Sequence, residues 1–140
     1  MIKNLVISGG DISYFSMLGT IKELVTHKEK FDLNKLEKIY GVSAGSMVGF
    51  LLSLKLDYDI IIEYFLNRPW EKLLKFTSDD FLNLYNSKGF VDRQLFYEVF
   101  LPLLKTCDFD ENLTILELFN HSNIELNIYA TKIWNHCFCK

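Results

Sequence analysis

The 140-residue sequence predicts an α/β protein, in which helices flank a small parallel sheet. Residues 4–7 and 36–42 are short, apolar-rich runs of the kind that forms buried parallel strands. Each run ends in a glycine-containing turn, and helical apolar spacing follows each turn. A third strand is predicted at residues 124–131, where apolar and polar residues alternate. The order β-α-β-α, a helical insertion and then β favours parallel strands joined by crossover helices.

The first β-turn-α unit carries two adjacent glycines. The strand at residues 4–7 is interrupted by Ser8, Gly9, Gly10 and Asp11, and a helix is then predicted to about His27. A glycine turn at a helix N-terminus offers backbone N–H groups that can hold an anion or an oxyanion. Taken alone, the pair is more typical of a tight strand-to-helix turn, so both interpretations stay open at this point.

The second unit contains the pentapeptide GVSAG at residues 41–45, a G-x-S-x-G pattern centred on Ser43. A strand-like segment precedes it, and the apolar run 47–54 follows, which predicts a buried helix. Strand, sharp turn and helix form the context of a nucleophile elbow, and Gly41 and Gly45 would let strand and helix pack closely. The alternative is that Ser43 caps a buried helix.

The middle of the chain is predicted to be helical. One helix runs through residues 60–66, with Asp57 or Asp59 as its cap, and another spans 95–104 behind Asp92. Pro102 should kink that second helix or end it early. Residues 70–91 are rich in aromatic side chains, which pack in a core or lid, or else line an acyl-chain pocket or a membrane-touching lip.

Two features near the end of the chain are predicted from local patterns. Thr114 and Glu117 stand three residues apart before an apolar run, which is the spacing of a capping box. Residues 132–140 offer no clear element.

Composition excludes several classes of function. The net charge of −3 argues against a nucleic-acid-binding protein, which would need a basic face. No segment has the length of a membrane span and none resembles a signal peptide, so we expect an unprocessed cytoplasmic protein. His136, Cys137 and Cys139 form at most half of a zinc site, and Cys107 is the third cysteine. We therefore expect reduced thiols, no metal and no cofactor.

The two glycine turns are expected to converge. Both follow strands of one predicted parallel sheet, and such sheets carry their sites beyond the carboxyl ends of the strands. Gly9, Gly10 and Ser43 should therefore lie close together, which raises the catalytic interpretation of the elbow above the helix cap.

Four segments resemble the patatin-like phospholipases. Residues 7–14 (ISGGDISY) resemble that family's glycine-rich loop, which usually reads S-G-G-G-x-[K/R]-G, and residues 40–46 (YGVSAGS) resemble its nucleophile elbow. Residues 112–118 (NLTILEL) and 126–131 (LNIYAT) are similar to a helix and a strand that follow in the family. The resemblance extends to about residue 133.

The resemblance implies a three-layer α/β/α fold, in which residues 1–140 form a single partial domain whose C-terminal part is missing. It implies a lipid acyl hydrolase that cleaves phospholipids or other acyl esters through a Ser-Asp dyad, in lipid degradation. Ser43 would be the nucleophile, and the backbone N–H groups of Gly9, Gly10 and Asp11 would form the oxyanion hole. Its partners would be lipids, with peripheral contact to membranes and none to nucleic acid.

The sequence departs from the family pattern at several positions. Asp11 replaces the third glycine, Ser13 replaces a basic residue, and Tyr14 replaces another glycine. The family's dyad aspartate belongs to a D-G-[G/A] motif, and no Asp-Gly pair occurs here. The other candidate acids and bases have local interpretations as caps or loop residues or lack a motif: Asp92, Asp108, Asp110, His27, His121 and His136.

Three functional hypotheses follow. The first is an active patatin-like acyl hydrolase. The second is a truncated, non-catalytic member that binds lipid or a partner. The third, a different serine acyltransferase or α/β-hydrolase with the same elbow, would need a downstream histidine as base.

Overall fold

A computed structural model describes residues 1–73 and 93–131 of the chain, together with the short strands at 133–134 and 137–138. The described chain divides into two compact units. The first contains Met1–Ile62 and Thr114–Lys140, and the second contains Glu63–Leu113.

The first unit is built on a three-stranded parallel sheet. Its strands are β1 (Asn4–Ile7), β2 (Lys38–Val42) and β3 (Glu125–Tyr129), in the order β1-β2-β3. The predicted α/β class and its parallel strands are confirmed. Since all three strands run in the same direction, their carboxyl ends meet at one edge of the sheet.

Helices pack against one face of this sheet. The helices of the first unit include α1 (Tyr14–Thr26) and α2 (Ala44–Ser53), and α3 (Tyr58–Leu66) leads from the first unit into the second. Eight of the ten residues of α2 are buried, as its apolar sequence predicts. A Cβ atom added to Gly49 of α2 would lie 2.8 Å from Ile39 Cγ2 of β2, so the helix lies directly on the strand.

The other face of the sheet is open among the residues that the structure describes. Val6 is 77% exposed, Val42 45% and Tyr129 58%, although all three alternate with residues that face α2. An ion pair of 2.8 Å between Lys38 and Glu125 lies on the same face. One helix layer of the expected three-layer arrangement is therefore seen, and no second layer covers this face within the described ranges.

The capping box is confirmed at the start of the helix Ile115–Ser122. Thr114 Oγ1 accepts the Glu117 N–H at 3.2 Å, and Glu117 Oε2 accepts the Thr114 N–H at 2.8 Å. Asn123 ends the helix in the left-handed region, at φ 57°, and leads directly into β3. The short polar side chain of asparagine tolerates that conformation better than most residues do.

The second unit contains the short helix α4 (Trp70–Leu73) and the helix α5 (Arg93–Lys105). The helix Ile115–Ser122 of the first unit, which follows them in the chain, is α6. Pro102 lies inside α5, which continues to Lys105, so of the two predicted outcomes, a kink or an early end, the early end is wrong. Proline removes the N–H that would bond the carbonyl of Glu98. Arg68 Nη2 donates to that carbonyl instead, and the Tyr64 hydroxyl donates to the next one, on Val99, at 2.7 Å.

The structure also decides two predictions about the ends of elements. Of the two predicted caps of α3, Asp57 is confirmed, because its Oδ1 accepts the Asp59 N–H at 2.9 Å. Residues 133–134 and 137–138 form a short antiparallel pair, β4 (Ile133–Trp134) and β5 (Cys137–Phe138), so the prediction of no element after residue 132 is wrong. Two-residue strands are too short to produce a periodic signal. The interpretation of residues 74–91 and the cap at Asp92 lie outside the described residues.

Candidate active site

Ser43 lies at the junction of β2 and α2 with a strained backbone. Its φ of 52° and ψ of −123° lie in a region that a residue with a side chain occupies only at a cost of about 1–3 kcal/mol. The residue is exposed. Its carbonyl accepts the Ser46 N–H at 2.9 Å and the Met47 N–H at 3.4 Å, so it starts the helix. A strained strand-to-helix turn that presents a serine is the geometry of a nucleophile elbow.

The helix-cap alternative fails on two observations. The Ser43 side chain makes no capping hydrogen bond, although the residue occupies the N-cap position of α2. A capping serine also adopts an extended backbone, as Thr114 does before α6, and not a positive φ. The first turn of α2 therefore keeps N–H groups that no cap satisfies.

The two glycines of the elbow are required for steric reasons. A Cβ atom on Gly41 would lie 2.6 Å from Ser46 Cα, and one on Gly45 would lie 2.6 Å from the carbonyl oxygen of Ser8. Neither distance leaves room for a methyl group against backbone atoms. Neither glycine has a positive φ, so close approach and not backbone freedom is what they provide here.

The structure brings the glycine-rich loop and Ser43 together. A Cβ atom on Gly9 would lie 3.3 Å from Ser43 Cβ and 4.0 Å from Ser43 Oγ. The two turns therefore converge at the carboxyl edge of the sheet, as expected, with Gly9 against Ser43.

The loop beyond Gly9 has an unusual backbone at Asp11. This exposed residue has a φ of 46°, which glycine would adopt without strain. The Gly10 carbonyl accepts the Ser13 N–H at 2.8 Å and also a bond from the Ser13 hydroxyl. Among the described residues, the N–H groups of Gly9, Gly10 and Asp11 donate to no hydrogen bond. They are available to an anionic group.

The described histidines do not reach Ser43. His27 follows the C-terminus of α1, and its ring nitrogens face Glu23 at 3.2 Å and Glu29 at 3.7 Å. His121 Nε2 lies 2.9 Å from the carbonyl oxygen of Leu54. Leu54 follows α2, about 16 Å along the helix axis from Ser43. Both rings therefore lie toward the opposite edge of the sheet, and His136 lies outside the described residues.

The candidate acids have structural roles where they are described. Asp110 Oδ1 accepts the Asn112 N–H at 2.8 Å, which confirms its interpretation as a turn residue. Asp108 is exposed and has a φ of 60° in the turn that follows α5. Both residues belong to the second unit. Ser13, which stands where the family has a basic residue, was not among the predicted site residues.

Ion pairs lie at the amino ends of the strands, and exposed apolar side chains lie at the carboxyl ends. The ion pairs Lys3–Glu37 and Lys38–Glu125 lie at the amino ends of the strands. The hydrogen bond from Lys38 lowers the pKa of Glu125 below its usual range. The carboxyl ends of β2, which Ser43 follows, and of its neighbour β3 instead present exposed apolar side chains: Val42, Ile128 and Tyr129.

An elbow serine beside a glycine-rich loop, at the carboxyl edge of a parallel sheet, is the arrangement of the α/β serine hydrolases. The chain belongs to the patatin-like phospholipase family, whose family model matches residues 5–138. The name of the family is that of phospholipases, which are enzymes of the lipid acyl hydrolase class.

Among curated proteins, the uncharacterized protein R571 of Acanthamoeba polyphaga mimivirus is 30% identical over 88 residues. The match covers 63% of this chain and 29% of the length of that protein. No solved structure matches the chain significantly. Within the described ranges, none of the helices combines the length and the apolar character needed to cross a bilayer.

Proposed function

We propose that this protein is a lipid acyl hydrolase and that Ser43 attacks the acyl carbonyl of a phospholipid or another acyl-ester lipid. The observation that carries the proposal is the strained, exposed Ser43 with the backbone of Gly9 against it. Strain of this kind persists only where the surrounding structure enforces it, and it is concentrated at functional sites.

The proposed reaction follows the chemistry of serine acyl transfer. Ser43 Oγ bonds to the acyl carbon, and the carbonyl oxygen becomes an oxyanion beside the N–H groups of Gly9, Gly10 and Asp11. The ester bond then breaks, the lysolipid alcohol leaves with the proton from Ser43, and water hydrolyses the acyl-enzyme to release the fatty acid. Each backbone donor to the oxyanion is worth about 10²–10³ in turnover.

The surface around Ser43 suits a substrate that is presented by a lipid interface. Val42, Ile128 and Tyr129 are each about half exposed at the carboxyl edge, while the described ion pairs of the strands lie at the amino edge. We propose that the carboxyl edge faces the lipid surface in peripheral contact and that the protein acts in the cytoplasm.

The test is fatty-acid release from phosphatidylcholine vesicles by the 140-residue chain and two serine variants. Ser43→Ala removes the nucleophile, whereas Ser53→Ala removes a buried hydroxyl at the other end of α2. We expect release by the wild type and by Ser53→Ala, and a loss of at least about 10³-fold in Ser43→Ala. Equal release by Ser43→Ala, or none by the wild type, would contradict the proposal.

A second candidate is a non-catalytic member of the family that binds lipid. The observations in its favour are the absence of an Asp-Gly pair from the sequence and the carboxylate of Asp11 in the glycine-rich loop. A serine without a base is a weak nucleophile, and a negative charge opposes a developing oxyanion. Co-sedimentation with the same vesicles, together with no fatty-acid release, would favour this candidate.

A further inference from the structure

We propose that Ser13 is a positioning residue that holds the Gly10–Asp11 peptide with its N–H available to the oxyanion. The inference rests on the proposed acyl hydrolysis at Ser43. The observation behind it is that the Gly10 carbonyl accepts two hydrogen bonds from the same residue, the Ser13 N–H at 2.8 Å and the Ser13 hydroxyl.

The peptide bond transmits this constraint to Asp11. In a planar trans peptide, the C=O and the N–H point in opposite directions, so fixing the Gly10 carbonyl also fixes the Asp11 N–H. A flip of this peptide would break both bonds from Ser13. It would also place a carbonyl oxygen where the N–H had been, which reverses the sign of the dipole that faces an oxyanion.

Asp11 needs such a constraint because its backbone is strained. A φ of 46° is unfavourable for an aspartate, and rotation to a negative φ would turn the Gly10–Asp11 peptide. The net contribution of one hydrogen bond is comparable in size with the cost of such a backbone conformation. The hydrogen bond from the Ser13 hydroxyl is therefore strong enough to determine which backbone conformation Asp11 populates.

Gly10 makes room for this bond. A Cβ atom at Gly10 would overlap Ser13 Oγ and Met17 Cε, so a larger residue would displace the hydroxyl. At position 13, where the family usually has a basic residue, the Ser13 side chain instead donates a hydrogen bond to the loop itself.

The test compares three variants by the rate at which a fluorophosphonate probe labels Ser43. Ser13→Ala removes the hydroxyl, and Ser13→Thr retains it. Thr20→Ala is the matched control, since Thr20 Oγ1 donates to the Ser16 carbonyl at 2.9 Å on α1, away from the loop. We expect Ser13→Ala to lower the maximal labelling rate by up to about tenfold at unchanged probe affinity, because the loss of one hydrogen bond changes a conformational equilibrium by no more than about that factor. Ser13→Thr should stay within about threefold of the wild type, and Thr20→Ala should not change.

A second measurement separates this inference from the proposed function. The three-bond coupling between the amide proton and Hα of Asp11 and its one-bond Cα–Hα coupling together report φ with its sign, and they require no activity. We expect these couplings to change in Ser13→Ala and to stay the same in Thr20→Ala. Unchanged couplings in Ser13→Ala, or labelling of that variant at the wild-type rate, would overturn the role of Ser13. Failure of the wild type to label at all would overturn the proposed function, while the couplings still decide the backbone role.

Discussion

Gly45→Ala tests the packing that brings the glycine-rich loop to Ser43. The added methyl would lie 2.6 Å from the Ser8 carbonyl oxygen and closer still to the backbone of Ile7. Backbone atoms cannot move aside as a flexible side chain can, so β1 and α2 must separate. Overpacking of this kind costs about 1–3 kcal/mol, and the better helix propensity of alanine returns only about 1 kcal/mol. We expect a net loss of up to about 2 kcal/mol in the free energy of unfolding.

Two other glycines provide matched controls for the same substitution. Gly19 lies in α1 with no atom within 4 Å of an added Cβ, so Gly19→Ala should stabilise by about 0.5–1 kcal/mol. Gly49 would meet only side chains, at 2.8 Å on Ile39 and 3.0 Å on Leu126, and Gly49→Ala should fall between the two. Urea unfolding followed by circular dichroism measures all three. Equal effects at positions 45 and 19 would refute the reasoning.

Three further predictions concern the loop, α5 and the sheet. Asp11→Gly should speed fluorophosphonate labelling of Ser43 about fivefold. The substitution relieves the strained backbone and removes a carboxylate whose repulsion of the oxyanion is worth about 1 kcal/mol. Slower labelling would contradict this prediction. Arg68→Met should lower the free energy of unfolding by about 1 kcal/mol. The loss should be smaller in a chain that also carries Pro102→Ala, because alanine restores the N–H that bonds the Glu98 carbonyl. A double-mutant cycle with no coupling between the two positions would refute this pairing. The hydrogen bond from Lys38 is the main cause of the lowered pKa of Glu125 in the folded protein. The ionised carboxylate therefore stabilises the fold at pH values above the ordinary pKa of glutamate, and this stabilisation is lost as the pH falls through the lowered folded-state pKa. Glu125→Gln should therefore lower the Tm slightly at about pH 7 and not at about pH 2, and a difference that persists in acid would argue against the ion pair.

The sheet and the elbow were predictable because their signals are local. A short apolar run, a glycine turn and a helical period lie within about twenty residues of each other in both β-turn-α units. The parallel direction of the strands then follows from the crossover helices, and it places Gly9 and Ser43 at the same edge. The conformation of Ser43 follows from the pentapeptide itself, since only small neighbours allow it.

The rest depends on contacts between residues that are distant in sequence or on single hydrogen bonds. Arg68 and Tyr64 donate to carbonyls near Pro102 that are 30 and 35 residues away in sequence, and no local pattern predicts such a pairing. The role of Ser13 depends on which way one peptide points, which composition does not encode. The open face of the sheet was not predicted either, because Val6 and Tyr129 are the kinds of residue that usually indicate burial.

The central claim is that Ser43 is a nucleophile, and covalent labelling tests it most directly. The 140-residue chain is incubated with a fluorophosphonate, and the adduct is located by mass spectrometry of the intact protein and of its peptides. The account predicts one adduct per chain, on Ser43, and none in Ser43→Ala, while Ser53→Ala labels at the wild-type rate. An unlabelled wild type, or an adduct that persists in Ser43→Ala, would contradict it.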